Sequence, residues 1–575
     1  MKRLIVPALF FILAAISPTG RTITARAHTG PGDHLLVTGT VSNSHGGPVE
    51  NAELNFYANG RKVACTQKAT TSGEGRYSAE LALPHGLLPE AKIEIDALKP
   101  CFKIPEHVLV ERLAKEAGAP GADTVYLARC NFTILRQITP AFWIATAILL
   151  GVYVLIAFEH LHRTLAALLG ASLMLAISYT AGAFDSAYRI LTFGKAMHAI
   201  DLNVVFLLMA MMIIVGIMKK TGVFQWMAYK AYQMAGGNVF ALASVLMFVT
   251  AVISAFLDNV TAMLLIIPVT IEIAVTLQIN PVSLLLPEAF ASNIGGTATL
   301  IGDPPNIMIG SYAKLSFMHF VGHLSLVNAI ALLIAILYFA YWYRKDYSRA
   351  RVDNVGEMIA RLRKEYKITN KTLLVQGCFI PAMTVFLFII HGTLKMEPSV
   401  AALIGAALFL VISREDIVEM LEHEIEWPTL IFFMMLFVVV AGAEEVGFIQ
   451  IIADWVREIS KGSLVVAILM ILWVSALASA ILDNIPFTAT MLPVVGYLTT
   501  VIPGAQSGVL WWALSLGACL GGNGTMIGAS ANVVTVGMAE KAGYPVSFKE
   551  YFKVAFLPMI ISIILCSAWL LVKER

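Results

Sequence analysis

The sequence predicts an all-α polytopic membrane protein with an inverted-topology repeat, two re-entrant hairpins and two broken helices. A signal segment and a small extracytoplasmic β-sandwich are expected before the helices. Three features predict this fold class. The composition suits a bilayer, polar and apolar segments follow one another in a fixed order, and long blocks of sequence recur at a constant spacing.

The composition indicates a membrane protein and excludes several other classes. Of the 575 residues, 58% are hydrophobic and 14% are charged, whereas soluble domains average about 25% charged residues. The net charge of +2 gives no basic field for nucleic acid, and the six cysteines form no CxxC or Cys/His cluster. No nucleophile–base pair or phosphate loop is visible. We therefore expect no enzyme, no nucleic-acid partner and no cofactor beyond Na⁺ and/or H⁺ as coupling ions.

Residues 1–27 are expected to form a targeting element. Lys2 and Arg3 precede the apolar run 4–16, and Ala25-Arg26-Ala27 fits a small-residue cleavage site. An uncleaved signal anchor is the alternative, because a polar gap separates the run from that site. In either case the next segment is expected outside the cytosol.

Residues 28–138 have the pattern of a β-sandwich. HLLVTGTVSNSHGGPVENAELNFYANG alternates apolar and polar residues around a His-Gly-Gly-Pro turn, and TTSGEGRYSAELALP repeats the pattern of turn and strand. The module resembles the carboxypeptidase-regulatory type of immunoglobulin-like domain. Its sequence shows no acid/base constellation, which favours a structural or partner-binding role over catalysis. One disulfide could form among Cys65, Cys101 and Cys130, and the sequence does not specify the pair.

Two sets of apolar segments occupy residues 139–343 and 373–575, joined by a linker at 344–372. The expected spans are 140–158, 164–181, 201–218, 239–277, 284–311 and 318–343, then 373–394, 398–413, 428–443, 464–501, 508–538 and 552–572. The fourth and fifth segments of each set are interrupted by polar residues.

The two sets are copies of each other. SAFLDNVTAMLLIIPV (254–269) matches SAILDNIPFTATMLPV (479–494) at seven of sixteen positions. The same offset of 225 relates Asp201 to Glu426 and Gly222 to Gly447.

The charge of the linker indicates that the two sets of segments cross the membrane in opposite directions. The linker 344–372 carries nine Lys and Arg against four acids, so the positive-inside rule makes it cytoplasmic. The first set then starts outside and the second starts inside, which is an inverted-topology repeat, typical of secondary transporters. Parity makes 239–277 and 464–501 re-entrant hairpins that enter from the cytoplasm and from outside, respectively. Full crossing by each arm is the alternative, because each arm is long enough to span the bilayer.

Four helix breaks in apolar surroundings predict the site. Non-helical backbone is tolerated at membrane depth where it is buried in protein or lines a polar cavity, and free carbonyls, helix ends and carboxylates there suit ions. The candidate ion- or substrate-binding residues are Asp258, Asn259, Thr261, Asn293, Gly295, Gly296, Thr297, Thr299, Asp303, Asn306, Asp483, Asn484, Gly521, Gly522, Asn523, Thr525 and Asn532.

Each motif also has a simpler interpretation. Paired glycines pack helices closely, and an Asp beside an Asn caps a helix. The recurrence of the motifs at corresponding places in both repeats favours a functional site near the bilayer midplane. Glu288 is a further candidate proton site, whereas helix N-terminal charge complementarity is enough to explain Asp201 and Glu426.

At these motifs the chain resembles the ion transporter superfamily, which includes divalent anion/sodium symporters, arsenite permeases, NhaD-type sodium/proton antiporters and the melanosomal P protein. NIGGTATLIGDPPN is similar to the loop after the first hairpin of that superfamily, and SAFLDNVTA and SAILDNIPF resemble its hairpin tips. FEHLHRTLAALLGA and IDLNVVFLLMAMMIIVGIMKKTGVF look closest to the P-protein branch.

The resemblance implies a scaffold domain and a moving transport domain that carries both hairpins, in a homodimer with an elevator-like mechanism. By position, Asn259, Thr261 and the loop 295–306 would form one cation site, and Asn484 and the loop 521–532 its partner. The dicarboxylate symporters carry Ser where this chain has Asp258 and Asp483, and Thr where it has Pro486. The carboxylates of Asp258 and Asp483 would repel a dianionic substrate. The repeats also differ at Asp303 versus Ala529 and at Thr297 versus Asn523.

The leading functional hypothesis is a secondary active transporter that is cation-coupled, most simply a Na⁺/H⁺ exchanger. Asp258 and Asp483 would alternate between protonated and cation-bound states. One alternative is an ion-coupled or passive permease for an anion or oxyacid, such as chloride, a di- or tricarboxylate, or arsenite. A membrane receptor or sensor that uses the β-sandwich as its ligand-binding head is a hypothesis from another class.

Overall fold

The computed structural model describes residues 33–43, 48–49, 52–63, 65, 69–72, 75–83, 92–99, 101–103, 108–110, 112–116, 125–158, 160–349, 368 and 370–573. The expected signal segment 1–27 and the linker residues 350–367 lie outside the described residues. The chain divides into two compact units. One comprises Met1–Leu98 and Ile104–Ile134, and the other comprises Lys99–Lys103 and Leu135–Arg575.

The first unit consists of two sheets. One contains β1 (Asp33–Ser42), β4 (Arg76–Leu83), β8 (Arg112–Glu116), β9 (Val125–Arg129) and β10 (Phe132–Thr133), and the other runs in the order β3 (Arg61–Val63), β2 (Glu53–Ala58), β5 (Ile93–Leu98), β7 (Val108–Leu109). Strand β1 is antiparallel to β4 and parallel to β9 and β10. Alternate residues of β2 are buried, as expected for a strand with one face on a core.

The sulfur atoms of Cys65, Cys101 and Cys130 are not bonded to one another. The disulfide that the sequence allows among Cys65, Cys101 and Cys130 is therefore not formed in this structure. The Cys101 thiol instead lies 2.8 Å from the Thr139 hydroxyl. Two short strands of the second unit, β6 (Phe102–Lys103) and β11 (Leu135–Arg136), pair with each other.

The second unit is helical. Its first half contains α1 (Pro140–Ala157), α2 (Arg163–Tyr179), α3 (Ala181–Phe184), α4 (Phe193–Ala199), α5 (Leu202–Lys219), α6 (Val223–Ala235), α7 (Val239–Ser254), α8 (Asn259–Thr276), α9 (Val282–Thr297), α10 (Pro304–Ala313), α11 (Phe317–Trp342) and α12 (Arg344–Ser348). Its second half contains α13 (Lys371–Ile390), α14 (Pro398–Ser413), α15 (Ile417–His423), α16 (Trp427–Glu445), α17 (Phe448–Ser460), α18 (Leu464–Ile481), α19 (Asn484–Val501), α20 (Val509–Gly521), α21 (Ser530–Lys541) and α22 (Phe548–Lys573).

Within the described residues, nine helical segments are long and apolar enough to cross a membrane. They are α1, α2 with α3, α5, α8, α11, α13, α16, α18 and α22. Large apolar side chains are exposed on these helices, such as Leu337 at 62% and Val572 at 73%. Side chains of this kind suit contact with lipid rather than water.

Several helices of the two halves correspond in length and spacing. The pairs α6 and α17, and α8 and α19, have the same lengths and are offset by 225 residues, and each of α8 and α19 contains a proline at the same place, Pro268 and Pro493. Helix is interrupted at 255–258, 298–303, 482–483 and 522–529. These interruptions fall in the segments where the sequence predicts breaks, and they bring polar backbone and side chains into the core of the helical unit.

Candidate functional site

Each hairpin turns at an aspartate that caps its second helix. Asp258 and Asp483 have nearly identical dihedral angles, with φ −52° and ψ 136°, and φ −53° and ψ 135°. Asp258 Oδ2 accepts hydrogen bonds from the Thr261 backbone N–H at 3.1 Å and the Thr261 hydroxyl at 3.3 Å. Asp483 Oδ1 accepts one from the Ile485 N–H at 2.9 Å. Both aspartates are therefore helix caps, and the Thr261 hydroxyl is already engaged by its neighbour.

The asparagines that follow these caps converge on one carboxylate. The Asn259 side-chain amide donates to Asn293 Oδ1 at 3.1 Å and to Asp303 Oδ1 at 3.4 Å. From the other half, the Asn484 amide lies 3.5 and 3.4 Å from the two oxygens of Asp303. All four side chains are buried. Asp303 thus joins the two hairpin tips, which the sequence assigned to separate half-sites.

The two glycine-rich breaks are also connected across the halves. The amide of Asn293 donates to Asn523 Oδ1 at 2.8 Å and to Asn532 Oδ1 at 3.0 Å. Together with the contacts at Asp303, these hydrogen bonds link side chains from all four breaks into one network. Asn523 Nδ2 is buried and has no hydrogen-bond partner among the described residues. It is therefore a donor without an acceptor inside the network.

Two further asparagines brace the breaks themselves. The Asn306 amide donates to the carbonyls of Thr297 and Thr299 at 3.1 and 2.8 Å. The Asn532 amide donates to those of Gly522 and Thr525 at 2.9 and 3.0 Å. A backbone that leaves helix inside the protein has unpaired carbonyls, which cost free energy unless they find donors. These amide donors pair the free carbonyls, which stabilises the non-helical backbone of the breaks inside the protein.

The threonines of the breaks also bond to backbone. The Thr299 hydroxyl donates to the carbonyl of Ala255 at 2.5 Å, and the Thr525 hydroxyl donates to that of Ala480 at 2.5 Å. Thr297 donates to the Asn293 carbonyl at 2.6 Å. The first two bonds fasten each break to the hairpin tip of its own half.

The predicted glycines allow the broken helices to approach the hairpins closely. A Cβ on Gly295 would clash with the carbonyl of Ala251, and one on Gly521 would clash with that of Ala476. A Cβ on Gly296 or Gly522 would lie 2.7 Å from the carbonyl oxygen of the facing glycine in the same break. The close-packing interpretation therefore accounts for all four glycines.

A small cavity lies between the tips. Its lining is Arg163, Leu208, Met212, Asp258, Asn259, Val260, Asp303, Pro304, Glu426, Thr429, Phe433, Asn484, Ile485 and Ser530. Three carboxyl groups and one guanidinium line it, so its formal charge is −3 + 1 = −2 when all of them are ionised. Its volume is about 20 Å³, whereas one water needs about 10–15 Å³. An acid-lined space of this size suits a small cation or proton-carrying water.

Arg163 is a residue of the site that the sequence reasoning did not single out. It opens α2, donates from Nη1 to the Ser530 hydroxyl at 2.8 Å and from Nη2 to the Thr429 hydroxyl at 3.1 Å, and lies 3.7 Å from Asp483. The available signal was a lone arginine at the start of a long apolar run, where an unpaired charge would be costly.

Glu426 is the second missed residue. Its counterpart Asp201 caps α5, accepting from the N–H groups of Asn203 and Val204. Glu426 makes no capping hydrogen bond to the backbone of α16, accepts from the Thr429 hydroxyl at 3.0 Å, and lines the cavity. Helix capping therefore explains Asp201 but not Glu426.

Glu288 lies apart from this cavity. It is fully buried in α9, and its Oε1 accepts from the Thr270 hydroxyl at 2.9 Å. Its other oxygen has no partner among the described residues. Glu288 is an isolated buried carboxyl, which fits a protonated state better than an ionised one.

Comparison with known proteins places the chain in a family. Residues 153–517 match the CitMHS family model, described as "Citrate transporter". An uncharacterized transporter of Mycobacterium tuberculosis is 39% identical over 428 residues, 74% of this chain and 97% of that protein. The human P protein is 35% identical over 506 residues, 75% of this chain and 60% of that protein. The predicted resemblance to the ion transporter superfamily and its P-protein branch is confirmed.

A solved structure has the same fold in outline. The crystal structure of the YdaH transporter of Alcanivorax borkumensis aligns with a TM-score of 0.51 over 72% of this chain and 98% of that one, at 13% identity. The family match, the identities and the spans agree that this is a multi-pass integral membrane protein that transports a small molecule. The chain belongs to the CitMHS citrate transporter family.

Proposed function

We propose that the chain is a cation-coupled secondary active transporter, with Na⁺/H⁺ exchange as the simplest form of coupling. The observation that carries this proposal is the convergence of both hairpin tips on Asp303. Asn259 and Asn484 donate to that carboxylate from opposite halves, beside a cavity with an excess of carboxyl groups.

The chemistry of the network supports a cation. Carboxylate and amide oxygens are ligands that hard cations prefer, and the cavity combines Asp258 and Asp303 with the side chains of both tip asparagines. A carboxylate that binds either a proton or a metal cation makes the two ions compete, which is the requirement for exchange. Asp483 faces Arg163 and Asp258 caps α8, so Asp303 is the better exchange group.

The repeat supplies a mechanism for alternating access. In this proposal α7–α11 and α18–α22 form the moving domain that carries both hairpins, and α1–α6 and α13–α17 form the scaffold. The two halves run in opposite directions through the bilayer, the linker 344–372 is cytoplasmic and the β-strand unit is outside. An elevator-like displacement of the moving domain in a homodimer would expose the cavity to each side in turn.

Ion-coupled citrate transport is the second candidate. The description of the family model and the Arg163 guanidinium in the cavity favour it. The three lining carboxyl groups oppose it, because a citrate would bring further negative charge beside them. Citrate binding would require protons or cations in company with it and a wider cavity than the one in this structure.

The test is transport by purified protein in liposomes with a pH-sensitive dye inside and an imposed pH gradient. Na⁺, Li⁺, K⁺, chloride, citrate and arsenite are added outside in turn. We expect Na⁺ or Li⁺ alone to collapse the gradient, and Asp303→Asn to abolish that response. Asp201→Asn is the matched control, because it makes the same chemical change at a helix cap outside the cavity.

Three results would overturn the proposal in different ways. A response to citrate or arsenite alone would assign the site to an anion. A full Na⁺ response in Asp303→Asn would remove the carboxylate from the mechanism. An equal loss in Asp303→Asn and Asp201→Asn would point to a general effect on folding.

A further inference from the structure

The hairpin tips have different neighbours on the helices that open each half. Tyr153 of α1 reaches the second tip, where its hydroxyl donates to the Pro486 carbonyl at 2.6 Å and is hydrogen-bonded to the hydroxyl of Thr490. The aromatic ring is partly buried there. The second tip is thus fastened to α1 by a large side chain with a polar end.

The equivalent residue beside the first tip is Val385 of α13. Gly170 of α2 packs on Val152, and Gly405, its counterpart in α14, packs on Thr384. The residue after Val152 is Tyr153, and the residue after Thr384 is Val385. Valine is much smaller than tyrosine and has no hydroxyl, so the first tip lacks the fastening of the second.

An apolar cavity of about 240 Å³ lies beside Val385. Val385 lines it on one side, and Leu257, the residue before the Asp258 cap, lines it on the other, with Ile301 of the first break. The hydroxyl of Thr384, which also lines it, already donates to the Ile380 carbonyl at 2.9 Å. A cavity needs two to four polar partners to hold a water, and an apolar cavity of about 150 Å³ binds hydrocarbon instead.

The cavity reaches the exposed apolar surface of the helical unit. Val252 of α7 and Phe256 of the first hairpin tip line it, and each is 41% exposed. A hydrocarbon chain could enter from the bilayer without crossing a polar layer, and no soluble ligand reaches this depth as easily. The bilayer is also the most concentrated source of hydrocarbon around a membrane protein.

We propose that this cavity between α13 and the first hairpin tip binds an acyl chain of a membrane lipid. The acyl chain packs between Val385 and Leu257, beside the first tip. A lipid rather than a side chain therefore supports the first tip. This inference holds whichever ion or anion the protein transports, because it concerns a separate space.

The test uses full-length protein in liposomes that contain a phosphatidylcholine with a photoreactive diazirine on its acyl chain. After irradiation, labelled residues are mapped by mass spectrometry. We expect labelling of Leu257 and Ile301, which are buried at 6% and 3% exposure and line the cavity. Val385→Trp fills the cavity and should lower labelling of both at least about tenfold.

Phe386→Trp is the matched control, because the adjacent side chain is 57% exposed and does not line the cavity. It should leave labelling of Leu257 and Ile301 unchanged. If Val385→Trp does not fold, Ala382→Phe at the mouth of the cavity replaces it. Unlabelled Leu257 and Ile301 in the wild type, or labelling that survives both fillers, would overturn the proposal. Labelling by a free single-ring photoprobe but not by the lipid would also overturn it, assigning the cavity to a small apolar ligand.

Discussion

Asp303 and Ala529 stand at equivalent places in the two halves, each just before the second helix of a broken pair. Their backbones are nearly superimposable, with φ −142° and ψ 133° for Asp303, and φ −145° and ψ 142° for Ala529. Only the first presents a carboxylate, and the tip asparagines of both halves, Asn259 and Asn484, turn to it. A symmetric backbone thus builds one site from asymmetric side chains.

The two capping aspartates also share a backbone conformation and differ in their side-chain surroundings. Asp258 and Asp483 share their dihedral angles and their capping role, but Arg163 lies 3.7 Å from Asp483 and forms no ion pair with Asp258 among the described residues. The second tip is held by an arginine and a tyrosine from the surrounding helices, and the first by neither. In the proposed mechanism, ion binding is centred on the first half and anchoring on the second.

Removing the shared carboxylate should have the largest effect. Asp303→Asn removes the negative charge that accepts hydrogen bonds from Asn259 and Asn484. The loss of interaction free energy is about 3 kcal/mol or more, so cation-driven transport should fall at least about 100-fold. Ala529→Ser, a polar change at the equivalent place, should stay within about threefold of wild type. Initial rates in liposomes measure both. Equal losses of transport in the two variants would mean that both halves contribute equally to cation binding.

Replacing the tip asparagines should have the second-largest effect on transport. Asn259→Ala and Asn484→Ala each remove one donor to Asp303 and should each weaken apparent cation affinity about tenfold. Because the two share an acceptor, the double variant should lose less than the product of the single losses. Concentration dependence of transport gives the three values. Strict multiplication would show that the tips act as separate half-sites.

Arg163 distinguishes a cation from an anion as the substrate. Arg163→Gln removes the positive charge from the cavity and should tighten apparent cation affinity, by about 3- to 10-fold with solvent screening. Arg189→Gln is the control, since Arg189 bonds to the Gly182 carbonyl away from the cavity. KM for Na⁺ or Li⁺ reports the change. Weaker cation affinity, with citrate uptake lost in the same variant, would favour the anion.

The anchoring of the second tip should give the smallest effect. Tyr153→Phe removes a hydrogen bond worth about 1 kcal/mol, so hydrogen exchange of residues 484–490 should quicken about fivefold. Tyr338→Phe, which loses a hydrogen bond to the Val554 carbonyl, is the control. Exchange at 259–265 should not change in either variant. Unchanged exchange at the second tip would mean that Tyr153 does not anchor it.

The sequence located the long apolar segments and their breaks because both depend on local pattern, but it did not predict the shorter helices α6 and α17. Apolar length predicted the spans, and Asp-Asn pairs and glycine runs predicted the interruptions, which lie at 255–258 and 482–483 in the hairpins. The glycines and most threonines proved to have packing or bracing roles. Residue type alone does not distinguish a free hydroxyl from one that is bonded to a nearby carbonyl.

The parts that the sequence did not predict depend on contacts between distant segments. Arg163 and Asp483 are 320 positions apart, and nothing local indicates that they meet. Asp201 and Glu426 were both assigned to charge complementarity at helix N-termini, and the sequence does not show that Asp201 caps its helix whereas Glu426 lines the cavity. The convergence of Asn259 and Asn484 on one carboxylate likewise requires the tertiary fold.

Proton release on cation binding is the most direct measurement of a single exchange site at Asp303. Purified protein in a weakly buffered detergent solution is mixed with Na⁺ or Li⁺, and a pH dye follows the released protons. Wild type and Asp201→Asn should release protons in a saturable way, and Asp303→Asn should release none. Equal release from Asp303→Asn, or none from the wild type, would contradict the account.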